Sequence, residues 1–458
     1  MDDKTKFEEM IEHIIALLQE KKYVDARELI LDNNEADIAE IIEEIIEELG
    51  IYVAVIIFRM LPKDIFVEVF SRLPSEDQLK IVNAITDKEI EYIIKELDFD
   101  DKIDVLEELP ANVVDKILEK TPKEERKMIN TFLNYPEDCA GTLMTPDYIS
   151  LQKDMTVNEA LAYIKREGMD SETIYTCYVK SKGRKLIGIV SLRSLVLSDG
   201  ETVISQIMAE DFVSINVYED QETVSEKFVK YGFIAIPVVD NEERLVGIVT
   251  IDDILDVIEE ETTEDIERMA GVFDDTSVGY LDRGVFSHVK SRIVWLFILM
   301  CSYVVTGSII TTFEGTLSQV IALVAYMPML MGTGGNSGSQ SATLVIRSLA
   351  TGDIAPKSWY KVLWKEFRVS IVVGIILSAF NFIRIYFFAQ HGLGVAFTVC
   401  IAMLVIVLAA KAIGGMLPLI AKKAGVDPAL MASPMISSIT DMISVTAYFL
   451  LAKLILGV

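Results

Sequence analysis

From about residue 7 to residue 134 apolar and charged positions alternate at helical spacing, as in FEEMIEHIIALLQEKKYVDARELI, with almost no β-rich run between them. This pattern predicts an all-α domain over residues 1–134. Inside it a punctuation recurs every 12 residues: Leu61-Pro62, Leu73-Pro74, Ile85-Thr86, Leu97-Asp98, Leu109-Pro110 and Thr121-Pro122. Pro or a capping residue just ahead of an acidic turn starts a helix, so the period predicts short helices stacked as a superhelix. Stacks of this kind bind or scaffold and seldom catalyse.

From about Cys139 to Glu260 the pattern changes to short Val/Ile runs between helical segments, and the region repeats itself. Leu186-Ile187-Gly188-Ile189-Val190 returns 59 residues later as Leu245-Val246-Gly247-Ile248-Val249. A helical segment follows each, SLRSLV and then TIDDIL, and similar elements, LMTPDYIS and IMAEDFVS, open the two copies. Two copies of one α/β module are expected, at 135–199 and 200–262. They resemble a tandem pair of CBS domains, regulatory modules that often hold adenine nucleotides in the cleft between copies. ATP is therefore an expected ligand, with a purely structural or dimerising pair as the alternative.

A polar stretch opening with ETTEDIERMAGVFDD follows and is read as a connecting helix over 263–287. Five long apolar segments come next, near 292–313, 318–346, 366–389, 393–421 and 429–456. Each exceeds the roughly 20 residues that cross a bilayer, which predicts a polytopic membrane domain over 288–458. Lys290, Arg292, Arg347, Lys357, Lys361, Lys365, Arg368, Lys422 and Lys423 flank one side of these spans. The opposite turns, Phe313–Thr316 and Gln390–Leu393, contain no Lys or Arg. The asymmetry predicts a cytoplasmic N-terminal part and a C-terminus outside, in the cell membrane, with Arg384 and Lys453 snorkelling near the outer ends. No segment at the N-terminus reads as a cleavable signal peptide.

Charge sharpens the division. The 458 residues carry a formal net charge of -28, yet residues 286–458 hold twelve Lys and Arg against five Asp and Glu. The first 285 residues are therefore strongly acidic, which excludes nucleic acid as a partner and suits divalent cations. Cys139, Cys177, Cys301 and Cys400 lie far apart without CxxC spacing, so neither a disulfide framework nor a zinc site is expected.

Carboxylates inside the spans carry the chemistry. Glu314 and Asp353 are placed in turns and Glu366 at a basic flank, which leaves Asp441, within PMISSITDMISVTAYF, as the one deep in a membrane helix. A charge there costs roughly 2.5–3.5 kcal/mol on insertion scales, so it is expected to face a wet cavity or a cation. Ser433, Ser437, Ser438, Thr440 and Ser444 line the same helix with hydroxyls, which hold water without stripping it from an ion. That suits magnesium, which gives up its hydration shell reluctantly. One carboxylate per chain favours a two-fold dimer that pairs two of them.

The second span carries GTGGNSGSQSATLVIRSLATGD behind Pro328. Two readings are open: small residues for close helix packing, or a broken helix whose unwound backbone lines a water-filled path. Gly335, Asn336 and Gly338 on this span, with Leu430, Ser433 and Ser437 near Asp441, are the candidate pore-lining residues.

With Pro328, the run Gly332–Asp353, Asp427-Pro428-Ala429, Pro434 and Asp441 in view, the chain resembles MgtE-type magnesium channels, related to the animal magnesium solute carriers. The resemblance covers the full chain: a helical N-terminal domain, a CBS pair, a connecting plug helix and five membrane helices. It implies a homodimeric, magnesium-selective channel for Mg2+ influx, with hydrated Mg2+ held at Asp441. It also implies acidic cytoplasmic sensing sites built from Glu68, Asp100 and Asp104, from Asp220, Glu222 and Asp253, from Glu261, Glu264 and Asp265 on the connector, and from Asp427.

Electrostatics suggest the gate: crowded carboxylates repel, and bound Mg2+ draws the acidic domains together and the connectors against the pore. The rivals are a proton-coupled or broad divalent-metal (Mn, Co) carrier and a membrane-anchored CBS nucleotide sensor. No enzyme is expected, since an intramembrane aspartyl protease needs two facing carboxylates.

Overall fold

The computed structural model describes residues 3–169, 171–273, 280, 283–389, 392–431 and 433–457. The chain divides into two compact units, Met1–Glu259 and Glu260–Val458.

The first unit opens with α1 (Asp3–Gln19), α2 (Tyr23–Leu31), α3 (Glu35–Leu49) and α4 (Ile51–Met60). The six that follow are α5 (Lys63–Ser71), α6 (Ser75–Ala84), α7 (Asp87–Glu96), α8 (Phe99–Glu108), α9 (Ala111–Lys120) and α10 (Lys123–Phe132). These six start twelve residues apart, each directly after the Pro, Thr or Asp of the sequence period. Pro fixes a φ suited to helix entry. Thr86 instead forms a reciprocal cap with Glu89, its backbone N–H donating to Glu89 Oε2 at 2.7 Å. Ten-residue helices cannot bury a full apolar face alone, so each leans on others: α3 on α5, α4 on α6, α5 on α7 and α6 on α8. Their shared core includes Ile41, Phe58, Phe70, Ile93 and Ile103.

Two small sheets follow. The first module comprises α11 (Ala140–Leu143), β1 (Tyr148–Gln152), α12 (Val157–Glu167), β2 (Thr173–Lys180), β3 (Leu186–Ser191) and α13 (Leu192–Leu197). The second comprises α14 (Ile204–Ile207), β4 (Ile215–Asn216), α15 (Gln221–Tyr231), β5 (Ala235–Val239), β6 (Leu245–Thr250) and α16 (Ile251–Ala270). In both, the first strand pairs parallel to the second and the second antiparallel to the third. The copies also exchange elements. Thr145, in the segment opening the first copy, bridges Ile248 of the second, and Ala209, opening the second, bridges Ile189 of the first. Gly247 and Gly188 make room for this: a Cβ on either would press to within 3 Å of Met144 Sδ and Met208 Sδ respectively.

The connector differs from its sequence expectation. Rather than one helix over 263–287, α16 runs unbroken out of the second module and stops at Ala270. Gly271 ends it at φ +72°, where a Cβ would also collide with the Trp295 ring. Residues 274–279, 281 and 282 of the expected helix lie outside the described residues.

The second unit is built from α17 (Val285–Thr312), α18 (Glu314–Gln319), α19 (Met327–Ala350), α20 (Trp359–Ile383), α21 (Leu393–Ala424) and α22 (Ser433–Leu456). Four of the five long helices are long and apolar enough to span a bilayer. The remaining one, α19, carries the glycine, serine and asparagine run and packs between α21 and α22. It is a continuous α-helix, preceded by a 3-10 stretch at Ile321–Tyr326, which overturns the broken-helix reading. The small residues let backbones approach: a Cβ on Gly414 of α21 would lie 2.1 Å from the Gly338 carbonyl oxygen. In α17 only Thr306 is buried, while Leu296, Phe297, Ile298 and Val304 are more than half exposed, as on a helix facing hydrocarbon.

Candidate metal and permeation sites

Within the first unit the start of α8 meets the start of α16. Asp100, Asp101, Asp253 and, from the loop before β2, Glu172 influence one another there, with Asp98 and Asp252 adding further charge. Burial and the nearby carboxylates of Asp253, Glu172 and Asp101 push Asp100 up to about 9. Burial with the same crowding pushes Glu172 up to about 7, and Asp101 and Asp253 each to about 6. Two hydrogen bonds to hydroxyls work in the opposite direction, Thr250 on Asp253 at 2.6 Å and Ser71 on Asp101. Oδ1 of Asp100 is buried without a hydrogen-bond partner.

These are carboxylates drawn together with too little compensating charge, which is the environment a cation relieves. Among the described residues, however, no three His, Cys, Asp or Glu side chains converge tightly enough to ligate a bare metal ion. The arrangement suits a hydrated ion held through its waters better than direct coordination.

The other expected sensing residues are dispersed. Glu68 is exposed on α5 and acts on Asp101 from a distance, while Asp104 is exposed one turn beyond Asp100 on α8. Asp220 caps α15, its Oδ1 accepting from the Glu222 backbone N–H at 3.1 Å, and both side chains are exposed. Glu172 was missed because it belongs to neither repeat motif; only the fold carries it to α8.

In the second unit Glu261, Glu264 and Asp265 lie on the last turns of α16. Arg268 on the same helix pairs with Glu264 and reaches Asp427 Oδ2 at 2.7 Å, while Asp427 Oδ1 accepts from the Ala429 N–H at 2.8 Å. Asp427, expected as a metal ligand, therefore already holds a side-chain cation. Met269, next to Arg268, packs on Ala342, Ile346 and Ile436.

Asp441 sits mid-way along α22, half-buried, and makes no hydrogen bond or ion pair among the described residues. It shares a helix face with Ser437 and Ser444, at i−4 and i+3. Both serines face α19: a Cβ on Gly335 would stand 3.1 Å from Ser437 Oγ, and one on Gly334 2.7 Å from Ser444 Oγ. Ser444 Oγ and Ser438 Oγ are buried without partners. The carboxylate thus lies on the helix face that carries these hydroxyls, and among the described residues no ion pair neutralises it. Of the expected pore-lining residues, Asn336 is exposed, and Leu430 and Ser437 are partly so. Gly335 and Gly338 are buried, Gly338 between Ile436 and the Ala410 carbonyl. The Ser433 side chain lies outside the described residues.

One buried charge escaped the sequence reading. Lys411 of α21 is 5% exposed, with Nζ 3.4 Å from Ser341 Oγ, and Ser341 donates to Glu366 Oε2 at 2.6 Å. The link joins α21, α19 and α20. Glu366 accordingly belongs to the bundle interior and not to a basic flank, because Ser341 and Lys411 draw its carboxylate inward. A Lys in the middle of a 32-residue apolar helix, well ahead of Lys422 and Lys423 in its last turn, was the available signal.

Two adjoining clefts share Lys153 and Ile187 on the α/β modules. One, of about 830 Å³, is formed by the first module alone and lined by Lys153, Asp154, Tyr163, Lys180, Lys182 and Arg184; its neighbour, lined by Lys153, Met208, Phe212 and Glu243, reaches both modules. Aromatic and basic side chains together suit a base and its phosphates.

Comparison with known proteins agrees with this architecture. The MgtE family, described as a divalent cation transporter, matches residues 327–451; the MgtE intracellular N domain matches 33–138 and the CBS domain 140–199 and 204–260. The chain is 36% identical to a magnesium transporter, MgtE, of Thermus thermophilus over 96% of this chain and 99% of that protein. It is 32% identical to the MgtE of Bacillus subtilis over 97% and 96% of the two chains. A crystal structure of the cytosolic domain of the Mg2+ channel MgtE in complex with ATP covers 53% of this chain and 97% of its own, at 34% identity and a TM-score of 0.49.

Proposed function

Since this chain belongs to the MgtE family of magnesium transporters, we propose that it is a magnesium-selective channel for Mg2+ influx, closed when cytosolic Mg2+ binds its acidic domains. The observation that carries the permeation step is Asp441: an unpaired, half-buried carboxylate inside the membrane domain, flanked by hydroxyls. Mg2+ is here the cargo. It passes with its first water shell, the waters donating to Asp441 and to the oxygens of Ser437 and Ser444. In a homodimer two such carboxylates face one ion. The N-terminal domains lie in the cytoplasm and the C-terminus outside the plasma membrane, as the distribution of Lys and Arg favours.

The carboxylates around Asp100 serve as the sensor. Asp100, Asp101, Glu172 and Asp253 hold a hydrated regulatory Mg2+, and Glu261, Glu264, Asp265 and Asp427 hold another once Arg268 gives way. Without Mg2+ the first group carries protons instead. Their folded values lie above the unfolded carboxylate range near 4, so the folded state binds extra protons and loses stability as pH rises from about 5 towards 9.

Three results are expected from pulse proteolysis of the full-length chain in detergent. In the absence of Mg2+, resistance of the acidic half falls between pH 6 and pH 8.5; saturating Mg2+ removes the fall; and Asp100→Asn restores resistance without Mg2+, by about 2 kcal/mol. A Mg2+ response independent of pH would overturn the sensor. For the channel as a whole, Mg2+ flux into liposomes should stop when Mg2+ is raised on the side bearing the N-terminal domains.

The basic and aromatic lining of the two adjoining clefts on the α/β modules favours ATP as a second regulatory ligand. A Lys180→Gln/Arg184→Gln variant is expected to weaken ATP binding by more than tenfold, as each charge-assisted contact contributes about 1.5–3 kcal/mol. Calorimetry with ATP on both proteins checks this, and an unchanged affinity would place the nucleotide elsewhere or nowhere.

A further inference from the structure

We propose that the basic end of α20 is a binding site for an anionic phospholipid, with an acyl chain in an aromatic groove between α20 and α21 and the phosphate on Lys361, Lys365 and Arg368. The groove has a volume of about 360 Å³. Trp359, Tyr360, Trp364 and Phe367 form its wall and Leu408 and Ala412 its floor. The wall residues recur at helical spacing on one face of α20, and the small Ala412 side chain leaves the floor open. Trp364 and Phe367 stack at 5.6 Å and 15°, giving one flat apolar surface along the groove.

Lys361, Lys365 and Arg368 occupy the next face, about one turn apart, and all three are exposed. None makes an ion pair among the described residues, since Glu366, the nearest carboxylate in sequence, turns the other way towards Ser341. The Arg368 guanidinium lies 5.9 Å from the Trp364 ring centroid, which fixes one cation at the lip of the groove.

An apolar groove with three exposed cations on the same turns of α20, one of them over the Trp364 ring, matches a ligand with a long apolar chain and one negative headgroup. Free phosphate would leave the groove empty. A zwitterionic lipid would bring its own ammonium against the three cations. Each cation near an anionic headgroup contributes about fivefold in affinity, so the three together discriminate on the order of a hundredfold.

The chain has three tryptophans, and Trp295→Phe leaves only the two in the groove. The test reconstitutes this variant in phosphatidylcholine vesicles and titrates in phosphatidylglycerol brominated on its acyl chains, or brominated phosphatidylcholine. Tryptophan quenching should half-saturate at a mole fraction of the anionic lipid at least about tenfold below that of the zwitterionic one. In a K361Q/K365Q/R368Q variant the two lipids should come within about twofold of each other.

Equal quenching by the two lipids in the parent protein would overturn the phosphate site. No quenching by either, as when a second copy or another protein covers the groove, would overturn the lipid site altogether. Should Trp295→Phe not fold, the native chain measured against a Trp359→Phe/Trp364→Phe blank gives the same comparison by difference.

Discussion

Mg2+ uptake by liposomes containing the purified chain is expected to fall about a hundredfold when Asp441 is replaced by alanine, while the protein remains folded. The size follows from the roughly 3 kcal/mol that an ionised carboxylate represents at membrane depth, at 1.4 kcal/mol per factor of ten. No other membrane-domain carboxylate can substitute. Glu366 is engaged by Ser341, Asp427 by Arg268, and Glu314 and Asp353 lie outside the long helices. Because Asp441 has no hydrogen bond or ion pair among the described residues, its removal should leave the thermal midpoint nearly unchanged. Asp441→Asn separates charge from shape: it keeps the side-chain volume and should be almost as inactive as alanine. Uptake above about half of the native rate in either variant would remove Asp441 from the permeation path.

The largest expected loss of stability comes from Gly414→Val. A Cβ at this position would stand 2.1 Å from the Gly338 carbonyl oxygen, a backbone atom that cannot rotate away. Helices α19 and α21 would have to part, opening the contact that also carries the Lys411–Ser341 hydrogen bond. Overpacking in a tight core costs about 1–3 kcal/mol, and a collision with backbone should exceed that. In a unit of about this size each kcal/mol corresponds to roughly 2–4 °C, so the midpoint of the detergent-solubilised protein should drop by about 10 °C or more. Gly332→Ala on α19 is the matched control. It has no atom within 4 Å of the added methyl, and alanine is the better helix former by about 1 kcal/mol. A thermal scan in which Gly414→Val and Gly332→Ala behave alike would refute close backbone packing as the purpose of the small residues.

The legible parts of this chain share a cause: each was written into local periodicity. The twelve-residue spacing of helix starts held for all six helices from α5 to α10, since Pro or a capping side chain acts on its own backbone and needs no distant partner. The two Leu-x-Gly-Ile-Val strands were legible as a repeat for the same reason. Four of the five expected spans were legible from apolar length and α19 was not, and α17 starts seven residues before its expected position because His288 and Lys290 are compatible with helix outside the hydrocarbon. Of the site, Asp441 stood out because a charge in an apolar run is costly wherever the helix lies.

What remained hidden depended on which surfaces meet. The stretch from Gly332 to Gly338 is equally consistent with an unwound or a packed helix until Gly414 is found against it. Glu172 has no motif, and its carboxyl is shifted by burial and by the carboxylates at the starts of α8 and α16, which lie far from it along the chain. Arg268, which holds Asp427, is an ordinary cation in sequence, and Lys411 stands out within its apolar helix without the sequence naming Ser341 as its partner. By itself the sequence determined the helical superhelix, the paired α/β modules, the membrane spans and the one costly carboxylate, because those follow from interactions between residues a few positions apart. Only the tertiary structure decided how the modules exchange their opening segments, which carboxylates crowd, and which charges already have partners, because burial and Coulomb energy depend on distances through space and not along the chain.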